Sequence, residues 1–400
     1  MAETPRPSGT PGEVFRAFAK LGVTSFGGPI AHLGYFRDEL VTRRRWVDDR
    51  GYADLVALCQ FLPGPASSQV GFALGLLRAG PAGALAAWLA FTLPSAILMV
   101  AFAAGAGMFG GVVGSGILTG LKIVAVAIVA QAVWGMARSL TPDARRAGIA
   151  VVAAVIALLA AGSLGQVAAI VLGACAGLWL CRADATGDAV ALPLRVSRRA
   201  GLIALGLFVA LLIGLPVAAA LLSSPALDVA DAFFRAGALV FGGGHVVLPL
   251  LEAEVVTGGW VSPEEFLAGY GAAQAMPGPL FTFAAYLGAL AAPGAAGLAY
   301  AALALVAIFV PGMLLLIGVL PFWNALRARP AAQAAMRGAN AAVVGILAAA
   351  LYDPVFVTAI VDSATFGLAL VCFVLLVAWR TPPWIVVLVG AAGGIALAAL

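Results

Sequence analysis

Charged side chains are scarce in this sequence. Asp, Glu, Lys and Arg make up 10% of its 400 residues, and hydrophobic residues make up 63%. A soluble domain carries about 25% charged residues, so this composition excludes an ordinary water-soluble fold. Apolar runs such as 202–222 are long enough to cross a bilayer as a helix. We therefore expect an all-α polytopic membrane protein that contacts membrane lipid and has no nucleic acid partner.

The motifs of common enzymes are also absent. The sequence contains no HExxH, GxSxG or GxxxxGKS/T pattern, which argues against a zinc protease, an α/β-hydrolase and a P-loop nucleotidase. Its cysteines have no CxxC spacing, so we interpret them as small buried hydrophobic residues and not as metal ligands or disulfide partners. They are Cys59, Cys175, Cys181 and Cys372. We expect no enzymatic activity, no metal and no cofactor.

One stretch of the chain occurs twice. The first copy has Phe-Gly-Gly-Pro at 26–29 and Gln-Phe-Leu-Pro-Gly-Pro at 60–65. The second copy has Phe-Gly-Gly-Gly at 241–244 and Gln-Ala-Met-Pro-Gly-Pro at 274–279. The copies are offset by 215 residues at the phenylalanine and by 214 at the first proline. Such a match over about 70 residues indicates an internal duplication.

Both motifs predict a break in a helix. Glycine has little helical preference, and proline lacks the N–H donor and clashes with the preceding turn. The arms around 63–65 have only about 11 to 13 residues, so at about 1.5 Å per residue neither crosses a hydrocarbon layer of about 30 Å. We predict four broken, re-entrant elements, at 14–35, 52–77, 230–251 and 266–290. The nine predicted spans are 82–109, 116–137, 147–161, 164–180, 201–222, 297–320, 334–351, 364–379 and 384–400.

The placement of positive charge favours this arrangement over one in which all thirteen elements cross fully. Full crossing would put the arginine-rich segment 37–50 outside, against the positive-inside tendency. With re-entrant elements, twenty of the twenty-two basic residues are cytoplasmic, and the matching segment of the second copy, 252–265, has four glutamates and no Lys or Arg. In either arrangement an odd number of crossings separates the copies, as in transporters with inverted repeats.

The sequence thus predicts two inverted-topology repeats joined by a lone transmembrane helix. We place the first repeat at 13–181, the linker with its single helix at 182–228, and the second repeat at 229–400. Asp353 and Asp362 are assigned to an external loop.

The breaks are the first candidates for a binding site. Helix starts offer unpaired N–H groups and a partial positive charge, which can hold an oxyanion, and irregular backbone at membrane depth is tolerated only where it is buried or lines a cavity. The alternative is that these glycines and prolines only kink helices for packing. The predicted substrate-binding residues at the breaks are Phe26, Gly27, Gly28, Pro29, Gln60, Pro63, Gly64, Pro65, Ser67, Ser68, Gly242, Gly243, Gly244, His245, Gln274, Pro277, Gly278, Pro279 and Thr282.

Three cations and an amide complete the predicted substrate site. Lys122 lies inside a predicted span, and its equivalent in the second copy is Asn340. An intramembrane ionisable residue is a functional candidate; the alternative is a lysine that snorkels to the surface. Lys20 and Arg235 both stand six residues before a Phe-Gly-Gly motif, and we assign them to substrate attraction.

Coupling to a proton has three candidates. Glu39 and Glu254 are equivalent in the duplication, and each stands 13 residues after the phenylalanine of its break. His32 can titrate near neutral pH. The alternatives are solvated interfacial carboxylates and a hydrogen-bonded structural histidine.

These motifs resemble the chromate ion transporter (CHR) family in its long, two-domain form. The resemblance rests on Lys-Leu-Gly-Val-Thr-Ser-Phe-Gly-Gly-Pro at 20–29, together with 60–65, 241–244 and 274–279, and covers the chain from Val14. It implies a bacterial inner-membrane, multi-pass protein that exports chromate and confers chromate resistance. It also implies sulfate as a competitor or alternative substrate.

Three other functions stay open at this point. One is an importer or exchanger of sulfate or a related oxyanion at the same site. Another is a membrane-embedded enzyme acting on a lipid phosphate, which would need a buried acid and base near the breaks. The third is a passive anion channel. A homodimer is a further open alternative.

The inverted arrangement predicts where two single cysteines react. In a chain without its native cysteines, a cysteine at Arg43 should react with an impermeant maleimide only from the cytoplasmic side, and one at Gly258 only from the outside. Labelling of intact cells and of everted vesicles measures this. Reaction of both positions from one face contradicts the inverted topology.

Overall fold

The computed structural model of the protein describes residues 9–106, 111–160, 162–182, 196–241, 243–292 and 294–399. Within them the chain is helical, and no strand occurs. Parts of three predicted spans (107–109, 161 and 400) and the linker segment 183–195 lie outside these residues.

The first half contains α1 (Pro11–Thr24), α2 (Gly28–Phe36), α3 (Asp49–Phe61), α4 (Ala66–Ala106), α5 (Gly111–Leu140), α6 (Ala144–Leu159) and α7 (Ser163–Leu180). A single helix follows, α8 (Arg198–Leu222). The second half contains α9 (Pro225–Ala238), α10 (Val247–Val255), α11 (Pro263–Ala275), α12 (Phe283–Leu290), α13 (Ala295–Val319), α14 (Trp323–Arg327), α15 (Pro330–Ala350), α16 (Val357–Ala359), α17 (Ser363–Val377) and α18 (Pro383–Ala398). Each of the nine predicted spans corresponds to one of these helices. The division into repeats at 181 and 228 stays a prediction.

The four predicted breaks are confirmed. Each contains a glycine whose φ is positive: 96° at Gly27, 121° at Gly64, 152° at Gly243 and 93° at Gly278. Residues other than glycine rarely adopt this conformation, because their Cβ atom clashes with the backbone. Each break therefore depends on a glycine. At Gly27, Gly64 and Gly278 a neighbouring proline also keeps a helix from continuing through the break.

Six helical segments among the described residues are long and apolar enough to cross a membrane, for example Arg198–Leu222 and Gly111–Leu140. The helices at the predicted spans 147–161, 364–379 and 384–400 have only 15 or 16 residues, so these three crossings stay predictions. The longest, Ala66–Gly105, is bent, because Ala79 and Gly80 within it have non-helical backbone angles. The bend separates the second arm of a broken element from the span that follows. Two further segments, 37–43 and 351–356, are π-helical. The second contains Asp353, which is exposed and has non-helical backbone angles, and Asp362 caps the start of α17, so the assignment of both to an external loop stays a prediction.

The two halves exchange helices. The last helix of the first half, α7, packs along α15 of the second half, and the last helix of the second half, α18, packs along α5 of the first. Glycines form both contacts. A Cβ atom on Gly177 would lie 2.8 Å from the Gly338 Cα atom, and one on Gly120 would lie 2.7 Å from the Ala391 Cα atom. Close backbone approach through small residues is the common way for helices to associate in lipid.

These crossings generate a stability prediction. Gly177→Ala places a methyl group against the backbone of α15 and should lower the free energy of unfolding by about 1–3 kcal/mol, the usual cost of overpacking. Gly206→Ala on α8 is the matched control, because a Cβ atom there meets nothing within 4 Å. Thermal unfolding in detergent compares the two variants. Equal unfolding midpoints would show that the α7–α15 crossing does not need glycine.

Candidate functional site

The breaks are joined across the two halves by a pair of backbone hydrogen bonds. The N–H of Gly64 donates to the carbonyl of Val240 (2.8 Å), and the N–H of Gly278 donates to the carbonyl of Ser25 (2.9 Å). The two bonds are equivalent in the duplication, since Val240 follows Ser25 by 215 residues and Gly278 follows Gly64 by 214. Each Pro-Gly-Pro break is therefore bonded to the Phe-Gly-Gly break of the other half. We call the four breaks, 25–29, 62–65, 239–246 and 276–282, the junction.

The two Phe-Gly-Gly breaks also contact each other. A Cβ atom on Gly244 would lie 3.2 Å from Cγ of Pro29. Gly244 is the repeat equivalent of Pro29, so this contact joins matching positions of the two halves. A side chain at position 244 would press against the Pro29 ring, and the smaller residue leaves room for it.

Buried hydroxyl and amide groups link the junction to the long helices. The Ser95 hydroxyl of α4 and the Thr282 hydroxyl are 2.7 Å apart. The Gln69 side-chain amide donates to the carbonyl of Gly312 in α13 (2.8 Å) and to that of Pro63 (3.1 Å). Both links run from one half to the other, so the junction is a shared structure and not two separate sites.

Several buried polar atoms at or beside the junction have no hydrogen-bond partner in the described part of the chain. Three are hydroxyl groups, which donate as well as accept, and one is an amide nitrogen, which only donates. A buried polar group without a partner costs about 1–3 kcal/mol, so such a group calls for an explanation. These atoms are Ser25 Oγ, His32 Nε2, Ser68 Oγ, Gln69 Oε1, Thr92 Oγ1 and Gln274 Nε2.

The two histidines differ in their surroundings. His32 is buried, and its Nδ1 lies 3.3 Å from the Ser67 hydroxyl. His245 Nδ1 lies 2.7 Å from the Tyr270 hydroxyl. The bond to Tyr270 fits a structural role for His245, whereas the free Nε2 of His32 adds to the polar atoms around the junction.

The other residues predicted at the breaks differ in their exposure to solvent. Gln60 is exposed, whereas its equivalent Gln274 is half-buried. The Phe26 ring packs 6.3 Å from the Trp384 ring, between centroids. Gly242 lies outside the described residues. The remaining members form or border the irregular backbone of the breaks: Gly27, Gly28, Pro65, Gly243, Pro277 and Pro279.

The cations that precede the breaks are paired with the predicted coupling glutamates. Lys20 Nζ lies 2.8 Å from a Glu39 carboxylate oxygen, and an Arg235 guanidinium nitrogen lies 3.2 Å from one of Glu254. Both pairs are 19 residues apart in sequence, so the ion pair itself is duplicated. These pairs compensate the positive charges that we assigned to substrate attraction, and the assignment stays a prediction.

The two ion pairs differ in the pKa of their glutamate. Burial raises the pKa of Glu39, but hydrogen bonds from Lys20 and Arg44 outweigh it, and the net pKa lies below the ordinary value. Burial raises the pKa of Glu254, and Arg235 only partly opposes the shift. Arg235 is also shared with Asp231, at 2.6 Å. Glu39 is therefore held ionised, and Glu254 is the one closer to titration.

Lys122 and Asn340 have no such partners. Lys122 is half-buried on α5, and no ion pair or hydrogen bond involves its side chain among the described residues. The neighbouring Leu121 carbonyl packs closely against Gly271 of α11, which also carries Gln274. Asn340 Oδ1 is buried without a partner. Lys122 thus lies one residue from a contact with the helix that leads into the fourth break.

Sequence analysis missed four polar residues of the site: Ser25, Gln69, Thr92 and Ser95. Ser25 and Gln69 directly flank motifs that were identified. Thr92 and Ser95 lie beside Pro94, whose repeat equivalent is Pro311. The repeated proline was an available signal that this part of α4 approaches the junction.

The fold and the junction define a class of protein: a polytopic membrane protein of two inverted repeats whose broken helices meet between the halves. This is an architecture of secondary transporters.

The chain belongs to the chromate transporter family. The sequence model described as "Chromate transporter" matches residues 12–178 and 227–395. A "Chromate transport protein" of Cupriavidus metallidurans is 29% identical over 96% of this chain and 92% of its own length. One of Pseudomonas aeruginosa is 29% identical over 97% and 92%, and a "Probable chromate transport protein" of Synechococcus elongatus is 28% identical over 84% and 82%. No solved structure matches the chain.

The ion pairs predict an unequal response to substitution. Glu39→Gln leaves Lys20, Arg43 and Arg44 without their shared carboxylate and should lower the unfolding midpoint more than Lys20→Met, because Glu39 is buried and Lys20 is half-exposed. Since the Glu39 pKa is lowered, its contribution is present at neutral pH and is lost only as pH falls through the folded pKa. Thermal unfolding at pH 7 and at pH 3 measures this. A variant as stable as the parent at pH 7 contradicts it.

Proposed function

We propose that this protein exports chromate, a divalent tetrahedral oxyanion, from the cytoplasm across the bacterial inner membrane, and so confers chromate resistance. Membership of the chromate transporter family and the names of the relatives support chromate as the substrate. The substrate binds at the junction, where donors from both halves converge.

One observation carries the assignment of the site: buried donor groups that have no partner among the described residues lie at or beside breaks that bond to each other across the halves. The oxygens of an oxyanion accept hydrogen bonds from hydroxyl, amide and backbone N–H groups. Helix starts add a partial positive charge, and they bind such anions without a formal cation. The start of α2 and the start of α10 both follow breaks of the junction. Ser68, Thr92 and Gln274 are the side chains assigned to direct contact.

The near-symmetry of the junction supports alternating access. Because each half supplies one break of each kind, exchanging the conformations of the halves moves the opening from one side of the membrane to the other. Glycines let α7 pack closely against α15, and α5 against α18. A movement of one half is therefore transmitted to the other half. The substrate site remains at the centre while the surrounding helices rock.

Membrane voltage alone can drive export. Moving one charge through 100 mV is worth about 2.3 kcal/mol, so a dianion leaving a negative cytoplasm gains about 4.6 kcal/mol. This corresponds to a concentration ratio above about a thousand. An importer of sulfate would work against this term and would need a coupling ion for each cycle. The voltage therefore favours export over the alternative of import.

The assignment predicts which buried hydroxyls matter. Ser68→Ala and Thr92→Val each remove a hydroxyl that has no hydrogen-bond partner in the described parts of the chain, so neither should destabilise the fold. Loss of one hydrogen bond to a charged ligand costs about 1.5–3 kcal/mol, and we expect a rise of about 10-fold to 100-fold in the half-saturating chromate concentration. Uptake of labelled chromate into everted vesicles with a positive interior measures it.

Ser139→Ala is the matched control, because this hydroxyl is exposed and bonds to carbonyls of its own helix. Stable Ser68→Ala and Thr92→Val proteins that transport like the parent would refute the site. Competition by unlabelled sulfate tests selectivity in the same assay. Uptake in right-side-out vesicles that exceeds uptake in everted ones would reject export in favour of import.

A further inference from the structure

A cleft lined by arginines lies at one end of α6, α7 and α15, apart from the junction. It is open to the surface, has a volume of about 620 Å³ and is lined by Arg145, Arg146, Arg182 and Arg337. We call these four side chains the arginine cleft. Asp143 is the one carboxylate among its described lining residues. Arg337 comes from the second half of the chain and the other arginines from the first, so both halves form the cleft.

Most of the positive charge of the arginine cleft has no carboxylate partner in the described part of the chain. Arg146 pairs with Asp143 at 2.6 Å. The other three guanidinium groups donate to backbone carbonyls at the end of α7: Arg145 to Leu180 (3.2 Å), Arg182 to Leu178 (2.7 Å) and Arg337 to Cys181 (3.0 Å). These bonds hold the side chains in place but do not neutralise them. A guanidinium group has five N–H donors, so each arginine keeps donors for an anion.

An apolar groove continues from the arginine cleft between α6 and α7. It is open to the surface, has a volume of about 520 Å³ and shares Ala144, Arg145 and Leu180 with the cleft. Its other described lining residues are Ala, Gly, Val, Ile and Leu. They include Val152 and Leu172, which are 58% and 55% exposed. Exposed apolar surface of this kind is typical of contact with lipid.

The apolar groove is about as deep as one leaflet of a membrane. Its lining on α6 runs from Ala144 to Ile156, a distance of about 18 Å at about 1.5 Å per residue. Half of a hydrocarbon layer of about 30 Å is about 15 Å. The groove therefore reaches from the level of the headgroups to the middle of the membrane, as an acyl chain does.

We propose that an anionic phospholipid binds here, with its phosphate on the arginine cleft and an acyl chain in the apolar groove. Arginine binds phosphate through parallel hydrogen bonds. A free oxyanion uses the cleft and leaves the groove empty, whereas a neutral lipid uses the groove and leaves the arginines without a counter-ion. In the predicted topology this end of the helices faces the cytoplasm, where basic pockets between transmembrane helices bind anionic headgroups. The site does not depend on the proposed export of chromate.

The bound lipid joins the two halves where they cross. Arg337 directly precedes Gly338, and a Cβ atom on Gly177 would lie 2.8 Å from the Gly338 Cα atom. Arg145 of the first half and Arg337 of the second line the same cleft, so one phosphate bound to both adds a bridge beside this crossing. A ligand that binds only the folded form raises its stability. The lipid therefore stabilises the protein.

The second half lacks these arginines at the equivalent positions. Asp143 caps the start of α6, and Asp362 caps the start of α17 in the same way. Two and three residues after its cap, α6 has Arg145 and Arg146, whereas α17 has alanine and threonine. The charge of the site is therefore confined to one side of the repeat, and in the predicted topology to one leaflet.

The headgroup is tested by thermal unfolding in detergent, with each variant compared with and without added lipid. Phosphatidylglycerol should raise the parental midpoint, and phosphatidylcholine with the same acyl chains should not. Arg145→Gln combined with Arg182→Gln removes two exposed cations of the cleft. Because each arginine near an anionic headgroup contributes about fivefold to binding, we expect the half-saturating phosphatidylglycerol concentration to rise about 25-fold. Arg198→Gln combined with Arg199→Gln, two exposed arginines at the start of α8, should leave it unchanged.

The acyl chain is tested at Gly148, which lines the groove and where an added Cβ atom meets nothing within 4 Å. Gly148→Phe puts a ring into the groove without a clash with the protein, so it should abolish the rise with phosphatidylglycerol. Gly206→Phe on α8 is the matched control, because its surroundings are equally open. Native mass spectrometry measures binding independently of stability. Gly148→Phe should retain one phosphatidylglycerol fewer than the parent and the control.

Other occupants give different results. A parent with no response to phosphatidylglycerol, an equal response to phosphatidylcholine, or a full response in Gly148→Phe overturns the proposal. Millimolar inorganic phosphate that reproduces the rise and removes the response to phosphatidylglycerol would assign the cleft to a free oxyanion. Asp184 and Asp188 follow Arg182 in the sequence and lie outside the described residues. A parent that responds only after both are changed to Asn would make these carboxylates the occupant and overturn the lipid.

Discussion

The requirement that every backbone N–H and C=O inside a membrane find a partner constrains the whole of this structure. A broken helix releases such groups at the depth where water is absent. Here the breaks satisfy one another: Gly64 donates to Val240 and Gly278 donates to Ser25. Neither half can supply the partners of its own breaks in this arrangement. The two halves are therefore dependent on each other through backbone hydrogen bonds as well as through packing.

The duplication makes the junction nearly symmetric. The positions at which the two copies differ can give transport a preferred direction. Pro29 faces Gly244, where an added Cβ atom would lie 3.2 Å from the proline ring. Lys122 has Asn340 as its equivalent, and Glu252 has Arg37. The duplicated glutamates differ in the same way, because Glu39 meets three cations and Glu254 shares one. A strictly symmetric carrier treats its two sides alike, so these differences are where a preferred direction of transport can arise.

The broken helices could be predicted because their cause is local. Glycine at positive φ and proline at a helix start act within a few residues, so Gly27, Gly64, Gly243 and Gly278 carry their structural meaning in the sequence. The pairing of Lys20 with Glu39 could not be predicted in the same way, although both positions were identified. Equivalence in a repeat shows that two residues occupy matching places, but it does not show which neighbour each side chain meets.

The sequence by itself determined the class of the protein, its repeats, the positions of its apolar helices and the places where its helices break, because apolar length, glycine and proline chemistry and the likeness of the two copies can all be read from the order of residues alone. Only the tertiary structure decided that the breaks of one half bond to those of the other, that α7 and α18 cross to opposite halves, and that the hydroxyl groups of Ser95 and Thr282 meet. Ser95 and Thr282 are 187 positions apart. Their proximity depends on how all the intervening helices pack, which no local pattern encodes.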